Sequence, residues 1–100
     1  MIVVHQTDVY LKWFRRLRDE KARFRIVSRI RRLSLGNFRD VKPVSDGISE
    51  LRIDYGPGYR VYLRQEGEVL VLLLAGGVKK SQAADIERAK KLAREWKDEP

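Results

Sequence analysis

The hydrophobic pattern of this chain changes period once, near its middle, and separates a helical first half from a stranded second half. The β-branched run Ile2, Val3 and Val4 opens a short first strand over 1–6. Thr7 follows as an N-cap, and Asp8 stands in the first turn, where the helix dipole favours an acid. Val9, Tyr10, Trp13, Phe14 and Leu17 then recur at the spacing of one helix face. The same spacing predicts a second helix from Asp19 to Leu33, with Ala22, Ile26, Val27, Ile30 and Leu33 as its apolar stripe and Gly36-Asn37 as its stop signal. Across from that stripe Arg25, Arg29 and Arg32 fall at i, i+4 and i+7, so three guanidinium groups share one outward face.

Beyond the hairpin the period becomes two. Leu51, Ile53 and Tyr55 alternate with Glu50, Arg52 and Asp54, and after the Gly56-Pro57-Gly58 turn Tyr59, Val61 and Leu63 alternate with Arg60, Tyr62 and Arg64. The expectation places the first set of each strand inward and the second outward, facing solvent. After the Glu66-Gly67 turn, the run to Ala75 is apolar without alternation, which suits a central strand covered on both faces. Gly76-Gly77 are read as its end, and Ser81 as the cap of a last helix carrying Ala84, Ile86, Ala89, Leu92, Ala93 and Trp96. The tail Lys97–Pro100 reads as frayed. The order is β-α-α-β-β-β-α: an α+β fold in which two N-terminal helices and a C-terminal helix pack on a small antiparallel sheet, with residues 1–100 as one domain.

Charge sharpens this picture. The chain of 100 residues carries a net +8, and the segment 12–42 alone carries +9, from twelve Lys and Arg against three acids. Nine of those twelve are Arg, whose planar fork suits phosphate and carboxylate groups, so a polyanionic or acidic partner is expected. With no Cys and a single His, thiol catalysis, disulfides and Cys/His metal sites are excluded, and no cofactor or metal is called for. The longest apolar run, Val69 to Ala75, is seven residues, against the roughly 20 a bilayer span needs. No secretory signal pattern opens the chain. The expectation is a soluble cytoplasmic protein without a membrane partner.

Candidate chemistry gathers on the outward face of the paired strands. Arg52, Arg60 and Arg64, with Tyr62 beside them, suit a phosphodiester and the charge that builds at phosphorus. Lys79 and Lys80, leaving the end of the central strand, bring two amines towards the same patch. The competing reading is cross-strand ion pairing, with Arg52 and Arg60 bound to Glu50 and Asp54. His5, Trp13 and Trp96 read as structural residues, and His5 as half-buried.

The run Glu50 to Tyr62 (ELRIDYGPGYRVY), followed by Leu72 to Gln82 (LLLAGGVKKSQ) and Asp85-Ile86, resembles the RelE/ParE toxin superfamily, and within it the HigB-like addiction module killer proteins. Arg29 to Leu33, Gly36-Asn37 and Asp40 to Lys42 fit the same pattern, and the resemblance spans about residues 8 to 93. It implies the toxin of a type II toxin–antitoxin pair: a ribosome-dependent endoribonuclease that cuts mRNA, inhibits translation and is neutralised by a cognate antitoxin of helix-turn-helix type. The alternatives are a ParE-like inhibitor of DNA gyrase and a non-catalytic nucleic-acid-binding module. By position the catalytic set is Arg52, Arg60, Lys79, Lys80, Tyr62 and Asp54. Arg25, Arg29, Arg32 and Arg64 are the RNA- and ribosome-binding set. Many cleaving members carry a Tyr or His near the C-terminal end of the sheet, where this chain reads Gly77-Val78-Lys79-Lys80-Ser81-Gln82. An amine crowded by cations releases its proton more readily, which makes Lys79 or Lys80 the first candidate base, with Asp54 or Glu50 second and Tyr62 the candidate acid.

Overall fold

A computed structural model describes residues 2–96; the expectations for Met1 and for the tail 97–100 lie outside the described residues. The elements run β1 (Val3–Gln6), α1 (Asp8–Arg16), α2 (Glu20–Ser34), β2 (Val41–Ser45), β3 (Ile48–Ile53), β4 (Tyr59–Glu66), β5 (Leu70–Val78), a single 3-10 turn (Lys79–Ser81) and α3 (Gln82–Glu95). They form one five-stranded sheet in the order β1-β5-β4-β3-β2. This is the expected α+β arrangement with one strand more than the periodicity reveals.

Local chemistry sets the helix starts. Thr7 Oγ1 accepts from the Tyr10 amide at 3.1 Å and donates to the Leu74 carbonyl at 2.6 Å, so one hydroxyl caps α1 and ties it to β5. Asp19 caps α2 by accepting from the Lys21 and Ala22 amides, and these donors hold its carboxyl below the usual carboxylate range.

Two features of the sheet depart from the expectation. β1 lies parallel to β5, with His5 opposite Leu72, so the sheet is mixed. β2 pairs antiparallel with β3 through Asp46 and Gly47, both at positive φ (48° and 78°), the backbone that a tight Asp-Gly hairpin turn requires. Pro43 is tolerated in β2 because the strand lies at the sheet edge.

The larger correction concerns the second face of the sheet, which is not open to solvent. On one face Tyr10, Ala22, Ile26 and Leu33 of the helical hairpin pack on Leu51, Ile53, Val61, Leu63, Val71 and Leu73. On the other, Ala89 and its neighbours on α3 bury Ile48, Tyr62, Leu72 and Leu74. The protein is three-layered, and Val71 to Ala75 are covered on both sides as the unbroken apolar run predicts. β5 also continues through Gly76 and Gly77 to Val78. A Cβ at Gly76 would fall within the Trp13 ring and one at Gly77 on the Asp85 carboxylate, so the pair lets both helical layers approach the strand rather than ending it. His5, expected half-buried, is exposed, with its ring edge 6.5 Å from Trp96.

Candidate functional site

The alternation of β3 and β4 brings four polar side chains to the face that α3 covers. In the ladder Arg52 stands opposite Arg60, and Glu50 opposite Tyr62. Glu50 is fully buried, and its carboxylate is the hub. Its Oε2 pairs with Arg52 Nε and lies 3.8 Å from Arg60 Nε. Its Oε1 accepts from Gln82 Nε2 at 2.7 Å, which links the hub to the first residue of α3. A buried carboxylate is costly unless paired, and two guanidinium groups and an amide answer that cost here.

The cluster is not fully satisfied. Arg60 Nε and the Tyr62 hydroxyl are buried without a hydrogen-bond partner. Burial, and after it the Glu50 and Asp85 carboxylates, pushes the Tyr62 phenol up to about 12. The phenol is therefore a neutral donor at physiological pH. Asp85 accepts from Ser81 Oγ and lies against Gly77, which pairs with Arg60 on the next strand. The cluster opens to solvent on the Arg52 side, whose side chain is 46% exposed against 10% for Arg60. The cluster thus gathers two cations, one shared carboxylate and an unpartnered phenol, and its exposed Arg52 edge is where an anion could be met.

The expected residues divide accordingly. Arg52, Arg60 and Tyr62 are brought together, with Arg60 and Tyr62 buried beneath α3 and not outward. Arg52 and Arg60 do pair with Glu50, as the ion-pairing reading holds, but not with Asp54. Lys79 and Lys80 are exposed in the 3-10 turn that follows β5. Asp54 lies beyond the last residue of β3 and lines a groove against α2, on the other side of the sheet. Arg64 is engaged elsewhere: Nη1 donates to the Ala93 carbonyl at 2.8 Å, and Nε pairs with Glu66. Arg25 stacks 4.7 Å over the Tyr55 ring, Arg29 pairs with Asp40, and Arg32 is exposed.

Pattern reading missed Gln82, Ser81 and Asp85 as neighbours of the cluster, and the central position of Glu50. A signal was present: a last helix with an apolar stripe must bury it, and the second sheet face is where it can do so.

No family model matches the sequence. An uncharacterized protein of Haemophilus influenzae is 50% identical over 94 residues, covering 94% of this chain and 95% of that one. Among solved structures the fold is similar to that of the Escherichia coli toxin RelE, in a double-arginine mutant in the free state, at a TM-score of 0.69 and 15% identity, over 90% of this chain and 96% of that one. It is also similar to a chain of the intact E. coli RelBE toxin–antitoxin complex, with a TM-score of 0.64, 14% identity and coverage of 78% and 96%. The Mycobacterium tuberculosis RelBE2 toxin–antitoxin complex gives a TM-score of 0.53, 20% identity and coverage of 78% and 98%.

Proposed function

Since this chain belongs to one sequence family with the Haemophilus influenzae protein and has the RelE toxin fold, we propose that it is the toxin of a type II toxin–antitoxin system, of the HigB-like branch. In this reading it acts in the cytoplasm as an endoribonuclease on mRNA held by the ribosome, and a cognate helix-turn-helix antitoxin neutralises it. The observation that carries the reading is the pair of guanidinium groups facing each other across β3 and β4, with a phenol beside them.

In-line cleavage uses the RNA's own 2′-hydroxyl. Its oxygen attacks phosphorus, the bond from phosphorus to the 5′-oxygen breaks, and a cyclic phosphate remains. The hydroxyl proton must go to a base, and the departing 5′-oxygen must receive one. Arg52, at the open side, meets the phosphate, and Arg60 behind it adds charge where the negative charge builds. Glu50 sets the direction of both guanidinium groups. Tyr62, neutral at working pH, is the proton donor. The base is Glu50, the carboxylate between the cations, or one of the exposed amines of Lys79 and Lys80. Arg25, Arg29 and Arg32 on the hairpin add attraction to ribosomal RNA that weakens with salt.

Primer extension on a defined mRNA, with and without translating ribosomes, tests the reading. New 5′ ends only with ribosomes, lost in Arg60→Ala, are the expected result. An intact message together with gyrase-dependent DNA cleavage replaces it with the gyrase reading. Neither effect, with salt-sensitive RNA binding alone, replaces it with a binding module.

A further inference from the structure

The two edges of the sheet are built differently. β2 closes one edge with Lys42, Pro43 and a break in register between Pro43 and Ser45, devices that keep a foreign strand from adding. β1 closes the other with Val3-Val4-His5-Gln6, which has no Lys, Arg, Asp, Glu or Pro and an unbroken register on β5. Two bonds fix the direction of its backbone: the Val3 amide donates to the Val69 carbonyl at 2.7 Å, and the Thr7 amide to the Leu73 carbonyl at 3.0 Å. In a parallel pairing alternate residues face the neighbouring strand, so Val3, His5 and Thr7 turn their backbone groups to β5, and Val4 and Gln6 turn theirs outward. The Ile2 amide, outward as well, is taken by the Ser34 carbonyl at 2.8 Å. Among the described residues Val4 and Gln6 have no backbone partner. The margin around them is apolar, with Val3, Val69 and Leu35 exposed.

We propose that β1 is a dimer interface, at which a second copy of this chain pairs its own β1 antiparallel across a two-fold axis through His5. The outward groups are symmetric about His5. Val4 of one copy meets Gln6 of the other and exchanges both backbone bonds with it, and Gln6 meets Val4 in the same way. His5 then faces His5 of the other copy as a pair without hydrogen bonds. That pair lies on the α3 face, since Val4 packs into the core under the hairpin and the His5 ring lies beside Trp96. Charge also selects a second copy. Asp8 and Glu95 are exposed at the Gln6 end, where they line one hollow with Gln6 and Trp96. Arg31 is exposed at the other end, in the last turn of α2, three residues before the Ser34 that holds Ile2. An antiparallel pairing lays the acidic end of each copy against the basic end of the other. The net charge of +8 does not gather here, because Lys21, Arg25, Arg29 and Arg32 line the β3 side of α2, towards the opposite edge of the sheet. The two sheets become one, and the Arg52–Arg60 cluster on β3 and β4 stays outside the interface, so the inference is independent of the toxin reading.

The chain has no cysteine, so a single introduced thiol reports the geometry. Facing Cα atoms of a pair without hydrogen bonds stand about 4.5 Å apart, inside the range of about 4.4–6.8 Å that a disulfide spans. His5→Cys is therefore expected to oxidise to a covalent dimer at protein concentrations where Phe24→Cys, on α2, does not. Sedimentation velocity of the wild-type chain is expected to show monomer passing to dimer as concentration rises. Gln6→Pro removes the outward amide of an exposed residue while leaving the bonds to β5, and is expected to weaken the dimer about tenfold or more. His5→Lys sets two ammonium groups against each other on the axis, needs no change of backbone, and is expected to weaken it likewise. Unchanged thermal unfolding of the dilute variants verifies that they are folded. A wild type that stays monomeric at every concentration overturns the proposal. So does a dimer that neither variant weakens, or one in which His5→Cys fails to cross-link. Cross-linking through Phe24→Cys instead overturns it and assigns association to α2, where Phe24 and Val27 are both exposed although the helical stripe placed Val27 inward.

Discussion

Arg52 and Arg60, directly opposite on β3 and β4, address the same oxygen, Oε2 of Glu50. Two like charges on facing strands repel one another, and a shared buried carboxylate turns that repulsion into a fixed pair. Glu50→Ala leaves Arg60 buried and unpaired and is expected to cost about 3 kcal/mol, the lower end for a broken buried pair because Arg52 is part-exposed. Urea unfolding of the variant checks it. Glu50→Gln keeps the volume and the contact with Gln82, so it is expected to cost less. In the cleavage assay it separates base from positioning: loss of a general base removes the acid-side rise of the pH profile, and an unchanged profile at reduced rate assigns Glu50 to positioning.

Tyr62→Phe removes a buried hydroxyl that has no partner. Such a group carries a desolvation penalty of about 1–3 kcal/mol, so the variant is expected to be as stable as wild type or more so. If the phenol is the proton donor, cleavage falls by about 10²-fold or more in the same protein. Stability and activity moving in opposite directions is the signature; full activity removes Tyr62 from the chemistry.

Alkali provides a second reading of that phenol. Its pKa is raised in the folded state to about 12, so folding favours the neutral form. The linked stability is present below the ordinary tyrosine value near 10 and is lost as pH rises from there through about 12. Tyr10, also raised by burial, acts in the same direction. Denaturant unfolding across that range is expected to show a steep alkaline fall, shallower in Tyr62→Phe.

Gly76→Ala drives a methyl into the Trp13 ring, and Gly77→Ala drives one into the Asp85 carboxylate. Overpacking of this kind costs about 1–3 kcal/mol. Both variants are expected to melt lower, and only Gly76→Ala to shift the Trp13 emission. The Gly77 variant is expected to lose more cleavage than stability, because it displaces Asp85 and the α3 start from the Arg60 side of the cluster.

The sequence by itself determined what depends on neighbours along the chain. The Thr7 cap, the helical stripes of α1 and most of α2, and the alternation of β3 and β4 across Gly56-Pro57-Gly58 are local patterns of period and turn chemistry, and each appears in the structure. The apolar run of β5 even announced that both its faces are covered. What only the tertiary structure decided is which distant segments meet. Nothing in Val3 to Gln6 specifies a parallel partner more than sixty residues away, yet β1 joins β5. Pro43 disguised β2, because only an edge position makes proline acceptable in a strand. Alternation put Glu50, Arg52, Arg60 and Tyr62 on one face but could not say what lies over it. The answer is α3, whose apolar side needs burial and whose first residue holds Glu50. Period is a property of consecutive residues, while burial is a property of what packs against them, and that packing made an exposed row of charges into a buried, paired site.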